Sequence, residues 1–141
     1  MAEAMDAEGR RGDDGSLRVT VRLSVTNPSF EGDSAFGPGI AELCLGVRET
    51  GSLYAAAKRM KMAYSKAWRV MKNTEEMLGT PLLERDGARG SCLTPQGAAL
   101  LDTYLEVDAW VGEQAQRLFD ERMAGALSEP GPEESPEEGT R

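Results

Sequence analysis

Ten residues near the start of the chain alternate apolar and polar side chains without a break, Leu17-Arg18-Val19-Thr20-Val21-Arg22-Leu23-Ser24-Val25-Thr26. A period of two puts Leu17, Val19, Val21, Leu23 and Val25 on one side of an extended backbone, so the pattern predicts a strand with those five side chains facing inward. Asn27-Pro28 ends it. A short return strand is expected between Phe30 and Phe36, interrupted by Gly32 and Asp33. From Gly37-Pro38-Gly39 onward the period becomes helical, with Ile40, Leu43, Cys44 and Val47 at i, i+3, i+4 and i+7. Gly51 is placed to close that helix. Ser52 is a natural N-cap for a second helix running from Leu53 to about Met60, in which Ala55-Ala56-Ala57 lets a neighbouring helix approach closely. After the brief connection Lys61-Met62-Ala63, a third helix is predicted over 64–78, stopped by Gly79 and Pro81.

This third helix has two unlike faces. Ala67, Val70, Met71, Thr74, Met77 and Leu78 form the inward stripe, whereas Ser65, Lys66, Arg69, Lys72 and Asn73 form a polar face near the amino end. Two helices joined by a short turn, the second opening with polar and basic side chains, make a helix-turn-helix. Pro81-Leu82-Leu83-Glu84-Arg85 and Ser91-Cys92-Leu93, on either side of a glycine-bearing loop, then predict a β-hairpin, a wing carrying Arg85 and Arg89 at its tip. Thr94 as cap and Pro95 as first residue open a long last helix. The apolar stripe of that helix outruns the small domain available to cover it, which predicts a homodimer seam formed by Leu101, Tyr104, Val107, Val111 and Leu118. The expected fold class is mainly α with a small β component, a winged helix-turn-helix with an N-terminal strand or hairpin and a long C-terminal dimerisation helix.

Length and composition set the boundaries. With 141 residues, 40% of them hydrophobic, the chain has room for one domain. That domain is expected over 16–124, with disordered tails at 1–15 and 125–141, the latter rich in Pro, Glu and Gly. No apolar run reaches the length of a membrane span, and the polar N-terminus has no signal-peptide core, so a cytoplasmic protein with no membrane partner is expected.

Charge changes the picture more than its total suggests. The formal net charge is −8. Yet residues 48–97 hold nine basic against five acidic side chains, a net of +4, and 51–74 carries Lys58, Arg59, Lys61, Lys66, Arg69 and Lys72 with no acid among them. Local charge sets the field that a phosphate backbone meets. The chemistry of enzymes, by contrast, finds little support. Histidine is absent, which removes the commonest general base and metal ligand. Cys44 and Cys92 lie far apart and outside any CxxC pair, Ser65 and Lys66 are adjacent rather than one helical turn apart, and no phosphate-cradling glycine motif occurs. No catalytic residue, metal or cofactor is expected.

The run GPGIAELCLGVRETGSLYAAAKRMKMAYSKAWRVMKNTEEMLGTPLLER, followed by SCLTPQGAALL, resembles the N-terminal DNA-binding domain of ModE-type molybdate-responsive regulators and, more distantly, that of LysR-type regulators. The most specific pieces are Glu49-Thr50-Gly51-Ser52, Ala56-Ala57, Ala63-Tyr64-Ser65-Lys66-Ala67-Trp68, Pro81-Leu82, and Leu93-Thr94-Pro95 with Gly97, within roughly 36–105. Lys61 stands where a glycine is common in that family. The resemblance stops before the molybdate-binding domains, so it implies a sequence-specific regulator that binds double-stranded DNA without them. Ser65, Lys66 and Arg69 are the expected major-groove residues, Tyr64 and Lys72 lie nearest to phosphates, and Asn73 on the same polar face is expected to bind DNA with them. Ser52 at the start of the second helix belongs to the same surface, and Arg85 and Arg89 are expected at the minor groove or flanking phosphates. Trp68, Trp110 and Phe119 are expected to pack, and Met60, Met62, Met71 and Met77 to sit in the core. The alternative is a winged helix that has given up DNA and serves protein assembly through its long helix and acidic tail.

Overall fold

The computed structural model describes residues 17–88 and 90–126; the tail expected at 1–15, all but the first two residues of the tail expected at 125–141, and Arg89 lie outside them. Among the described residues four helices and one hairpin follow in the order α1 (Pro38–Thr50), α2 (Leu53–Arg59), α3 (Tyr64–Leu78), β1 (Leu83–Asp86), β2 (Gly90–Leu93) and α4 (Pro95–Met123). By internal contacts the chain divides into two compact units, one of Arg22–Asp108 and one joining Met1–Val21 with Ala109–Arg141.

The unit Arg22–Asp108 holds the core. Phe36, Leu43, Cys44, Val47, Leu82 and Leu101 are almost wholly buried there, with Leu53, Ala56, Ala57, Ala67, Met71 and Tyr104 around them. The stripes that the helical period marked on α1 and α3 are therefore the faces that meet. Gly51 takes the left-handed conformation, φ 78°, and its N–H bonds Val47 O, which ends α1 and turns the chain into α2. α1 and α2 cross closely because Gly46 faces Ala56: a Cβ at Gly46 would lie 2.6 Å from the Cβ of Ala56. Met71 and Met77 are buried, and Met60 and Met62 pack at the edge of the core, as expected of all four.

Two expectations are corrected in this unit. Leu101 and Tyr104 lie in the core, 0% and 4% exposed, so neither is available to a dimer seam. The Tyr104 ring meets Phe36 edge-on at 5.2 Å between centroids, and its hydroxyl donates to Leu23 O at 2.7 Å. The second correction concerns the N-terminal strand. Among the described residues its ladder is reduced to one bridge, between Val25 and Phe36, with N···O distances of 2.9 and 2.8 Å. Asn27 starts a tight turn, its Oδ1 accepting from Ser29 N–H and its O from Phe30 N–H, and Gly32 at φ 143° bends the return segment further. A ladder needs two segments kept in register over several residues, and this path allows a single pair. Val25 is accordingly exposed rather than inward.

The hairpin pairs antiparallel in the register Leu83↔Leu93, Glu84↔Cys92, Arg85↔Ser91 and Asp86↔Gly90. Thr94 ties it to α4: its Oγ1 donates to Pro81 O and accepts from Gly97 N–H, the expected cap, with Pro95 opening the helix.

In the unit joining Met1–Val21 with Ala109–Arg141, Gln116 holds the N-terminal segment by accepting from Val19 N–H and donating to Leu17 O. Leu17 and Val21, expected inward, are exposed, as are Trp110 and Leu118, while Val111 and Phe119 are half-buried. Among the described residues no helix is long and apolar enough to cross a membrane.

Candidate nucleic-acid interface

The surface around α2 and α3 is built locally. Ser52 caps α2, its Oγ accepting from Ala55 N–H at 3.0 Å, so its hydroxyl serves the fold. The turn to α3 is closed by Met62 N–H on Ala57 O and carries Lys61 at φ 57°. α3 begins at Tyr64 behind Ala63, which offers no side-chain cap, leaving its first N–H groups and the positive end of the helix dipole at the surface.

From that end the predicted contact residues emerge together. Tyr64, Ser65, Lys66, Arg69, Lys72 and Asn73 are all exposed, while Ala67, Met71, Thr74 and Met77 anchor the opposite side in the core. Lys58, Arg59 and Lys61 are exposed beside them. Among the described residues Arg59 pairs with Glu49 at 2.8 Å and Lys72 with Glu75 at 3.3 Å, and Lys58, Lys61, Lys66 and Arg69 enter no ion pair. The Arg59–Glu49 pair is exposed on both sides and of the kind worth little, and the four unpaired cations leave the face its positive field.

The wing is set against this face by two ties. Ser91 N–H donates to Gly51 O at 2.9 Å. Glu75, whose side chain is only 11% exposed, accepts from both Leu82 N–H (2.7 Å) and Leu83 N–H (3.1 Å) through Oε2. Sequence reasoning missed Glu75; its one signal is an acid a turn before the end of a helix followed by a tight entry into the wing. Arg85 is exposed but sits within β1 opposite Ser91, one residue back from the expected tip and next to Asp86. Arg89 is outside the described residues. Among those residues no group of three or more His, Cys, Asp or Glu gathers that could hold a metal ion.

Trp68 departs from expectation. It does not pack inside but is 47% exposed on the same surface, with Lys72 Nζ 4.8 Å from its ring centroid. Tyr54, at 60% exposure, lies 6.0 Å from Tyr64 between ring centroids. Tyr54 is not singled out by the sequence, and for Trp68 a buried or interface packing role is expected over stacking on single-stranded nucleic acid, although Trp68 stands one turn from Tyr64 and off the inward stripe, a signal the helical period carries.

Residues 41–98 match the model of the bacterial regulatory helix-turn-helix protein, lysR family. Among solved structures the chain is similar to the CbnR DNA-binding domain in complex with DNA, at 36% identity over 61% of this chain and 93% of that one, TM-score 0.44. It is similar also to CbnR, a LysR family transcriptional regulator, at 32% identity over 57% of this chain and 27% of that one, TM-score 0.47. A third is the BenM DNA-binding domain in complex with benA site 1 DNA, at 28% identity over 60% and 93%, TM-score 0.48. The chain thus spans nearly the whole of the isolated DNA-binding domains and about a quarter of full-length CbnR. No curated protein matches it.

Proposed function

This chain belongs to the lysR family of bacterial regulatory helix-turn-helix proteins, and from that premise we propose that it regulates transcription by binding double-stranded DNA as a homodimer. α3 enters the major groove, where Ser65, Lys66 and Arg69 face base edges and Tyr64, Lys72 and Asn73 face phosphates. Arg85 and Arg89 of the wing meet the flanking backbone. Two copies associate through the apolar side chains that α4 leaves exposed or half-buried, Val107, Val111 and Leu118, and so present two recognition helices to one pseudo-palindromic site. The observation that carries this reading is the acid-free run of cations over 51–74, exposed at Lys58, Lys61, Lys66 and Arg69 and entering no ion pair among the described residues. In an acidic protein such a face has a specific use, because releasing counterions from DNA rewards gathered cations.

The test is a titration of a labelled random 25-base-pair duplex, and of duplexes selected from that pool by the purified protein, at several salt concentrations. Binding that weakens linearly in log salt is expected, with the selected duplex tighter. Arg69→Ala should erase the preference for the selected duplex while leaving random-duplex binding nearly intact; Lys66→Ala should weaken both and lower the salt slope by about one. A protein that binds no duplex at low salt is instead an assembly module, the reading its net charge of −8 favours. The finer, ModE-type reading rests on the run Ala63–Trp68; it predicts that the selected duplex also binds a ModE DNA-binding domain.

A further inference from the structure

An aromatic edge runs beside the cationic face, and of its three rings only Tyr64 is used by the contacts named above. Tyr54 and Tyr64 approach each other across the α2–α3 turn, and Trp68 follows Tyr64 by one helical turn. All three rings are 45% exposed or more on a helix pair with a well-packed core, and the Lys72 ammonium is held over the Trp68 ring. Trp68 is flanked on α3 by Ser65, Arg69 and Lys72, the residues assigned to base edges and phosphates. A tryptophan has one donor and no acceptor, so it cannot take part in the bidentate code by which Arg reads guanine or Asn reads adenine. What it presents is an apolar surface, and the one apolar group of the major groove is the thymine 5-methyl.

We propose that Trp68 is a specificity-determining residue, packing against a thymine 5-methyl in the base steps adjoining the one met by Arg69, with Tyr64 and Tyr54 lying along the sugar–phosphate edge beside it. The inference rests on the duplex-DNA reading and sharpens it. In the unbound protein Lys72 covers the indole; on DNA its ammonium moves to a phosphate and the ring face is released to the methyl. The cations around the ring supply the complementarity that brings the polyanion to this edge, and Lys58, Lys61, Lys66 and Arg69 enter no ion pair among the described residues.

The experiment compares the selected duplex with the same duplex carrying deoxyuridine in place of every thymidine, which removes only the methyl groups. The wild-type protein should bind the uracil duplex about fourfold more weakly for each methyl contacted. Trp68→Ala should bind both duplexes alike, and Trp68→Phe, which keeps an apolar ring, should retain most of the difference. In a Trp110→Phe background the remaining indole is Trp68, and its emission should change as duplex saturates the protein. Equal affinity of the wild type for both duplexes, an unchanged thymine preference in Trp68→Ala, or tighter binding to the separated strands than to the duplex overturns the proposal while leaving DNA binding in place. Failure to bind any duplex overturns both readings together.

Discussion

Lys61 occupies the position where the chain must turn most sharply between α2 and α3, with φ at 57°. A side chain in the left-handed region costs roughly 1–2 kcal/mol, against which a glycine loses some backbone entropy on folding. Lys61→Gly should therefore leave the protein as stable or up to about 1 kcal/mol more so, read as an unchanged or raised Tm. It should also weaken DNA binding slightly and lower the salt dependence, since a cation of the face is removed. The two cysteines contrast at the same scale. Burial pushes the Cys44 thiol up to about 12, the negative charge of Glu75 adding to the effect and Arg48 opposing it. Because the folded value is raised, the stabilisation is complete below the ordinary thiol range and is lost as pH climbs from about 9 toward 12, where the unfolded chain ionises first. The stability gap between wild type and Cys44→Ala should narrow over that interval in denaturation curves. A thiol-alkylating reagent near neutral pH should modify Cys92 and spare Cys44.

At the scale of elements, the helix-turn-helix and the wing act as one surface because backbone groups of one are satisfied by the other. Glu75 is the joint: its carboxylate accepts the N–H groups of Leu82 and Leu83 just as the chain leaves α3 for β1. Removing it leaves two partly buried donors without their partner, a loss of about 2–3 kcal/mol. Glu75→Ala should show that loss in thermal melts and should also weaken duplex binding. Glu75→Gln, which keeps an acceptor without the charge, should recover part of both. If Glu75→Ala melts lower but binds DNA as before, the wing does not contribute to the interface. The same element logic explains the N-terminal segment. Its alternation holds an extended backbone, but one bridge at Val25 and Phe36 replaces the ladder, and the Tyr104 hydroxyl on Leu23 O takes over the tethering.

For the whole molecule, α4 carries two kinds of apolar residue that one helical period cannot tell apart. Leu101 and Tyr104 fill the core of the unit Arg22–Asp108, whereas Val107 in that unit and Leu118 in the other are exposed. Leu118→Lys should shift sedimentation toward the monomer at micromolar concentration with little change in monomer folding. It should also reduce affinity for a two-half-site duplex far more than for a half-site. Leu101→Ala should instead cost about 2–5 kcal/mol of stability through the cavity it leaves. If Leu118→Lys stays dimeric, the seam lies elsewhere on the molecule.

What the chain's own pattern determines is local: the bounds of α1, α2 and α3, the Ser52 and Thr94 caps, the Gly51 and Gly79 stops, and the exposed cluster of Ser65, Lys66 and Arg69. Each follows from residues within one or two helical turns, where period and capping chemistry act directly. The rest required the tertiary structure. Whether Leu101 faces a core or a partner, whether Trp68 is covered, whether 17–26 finds a ladder and where the Glu75 carboxylate is spent are matters of which distant segment arrives opposite. Burial and hydrogen-bond satisfaction are properties of both sides of a contact, and a sequence shows only one side at a time.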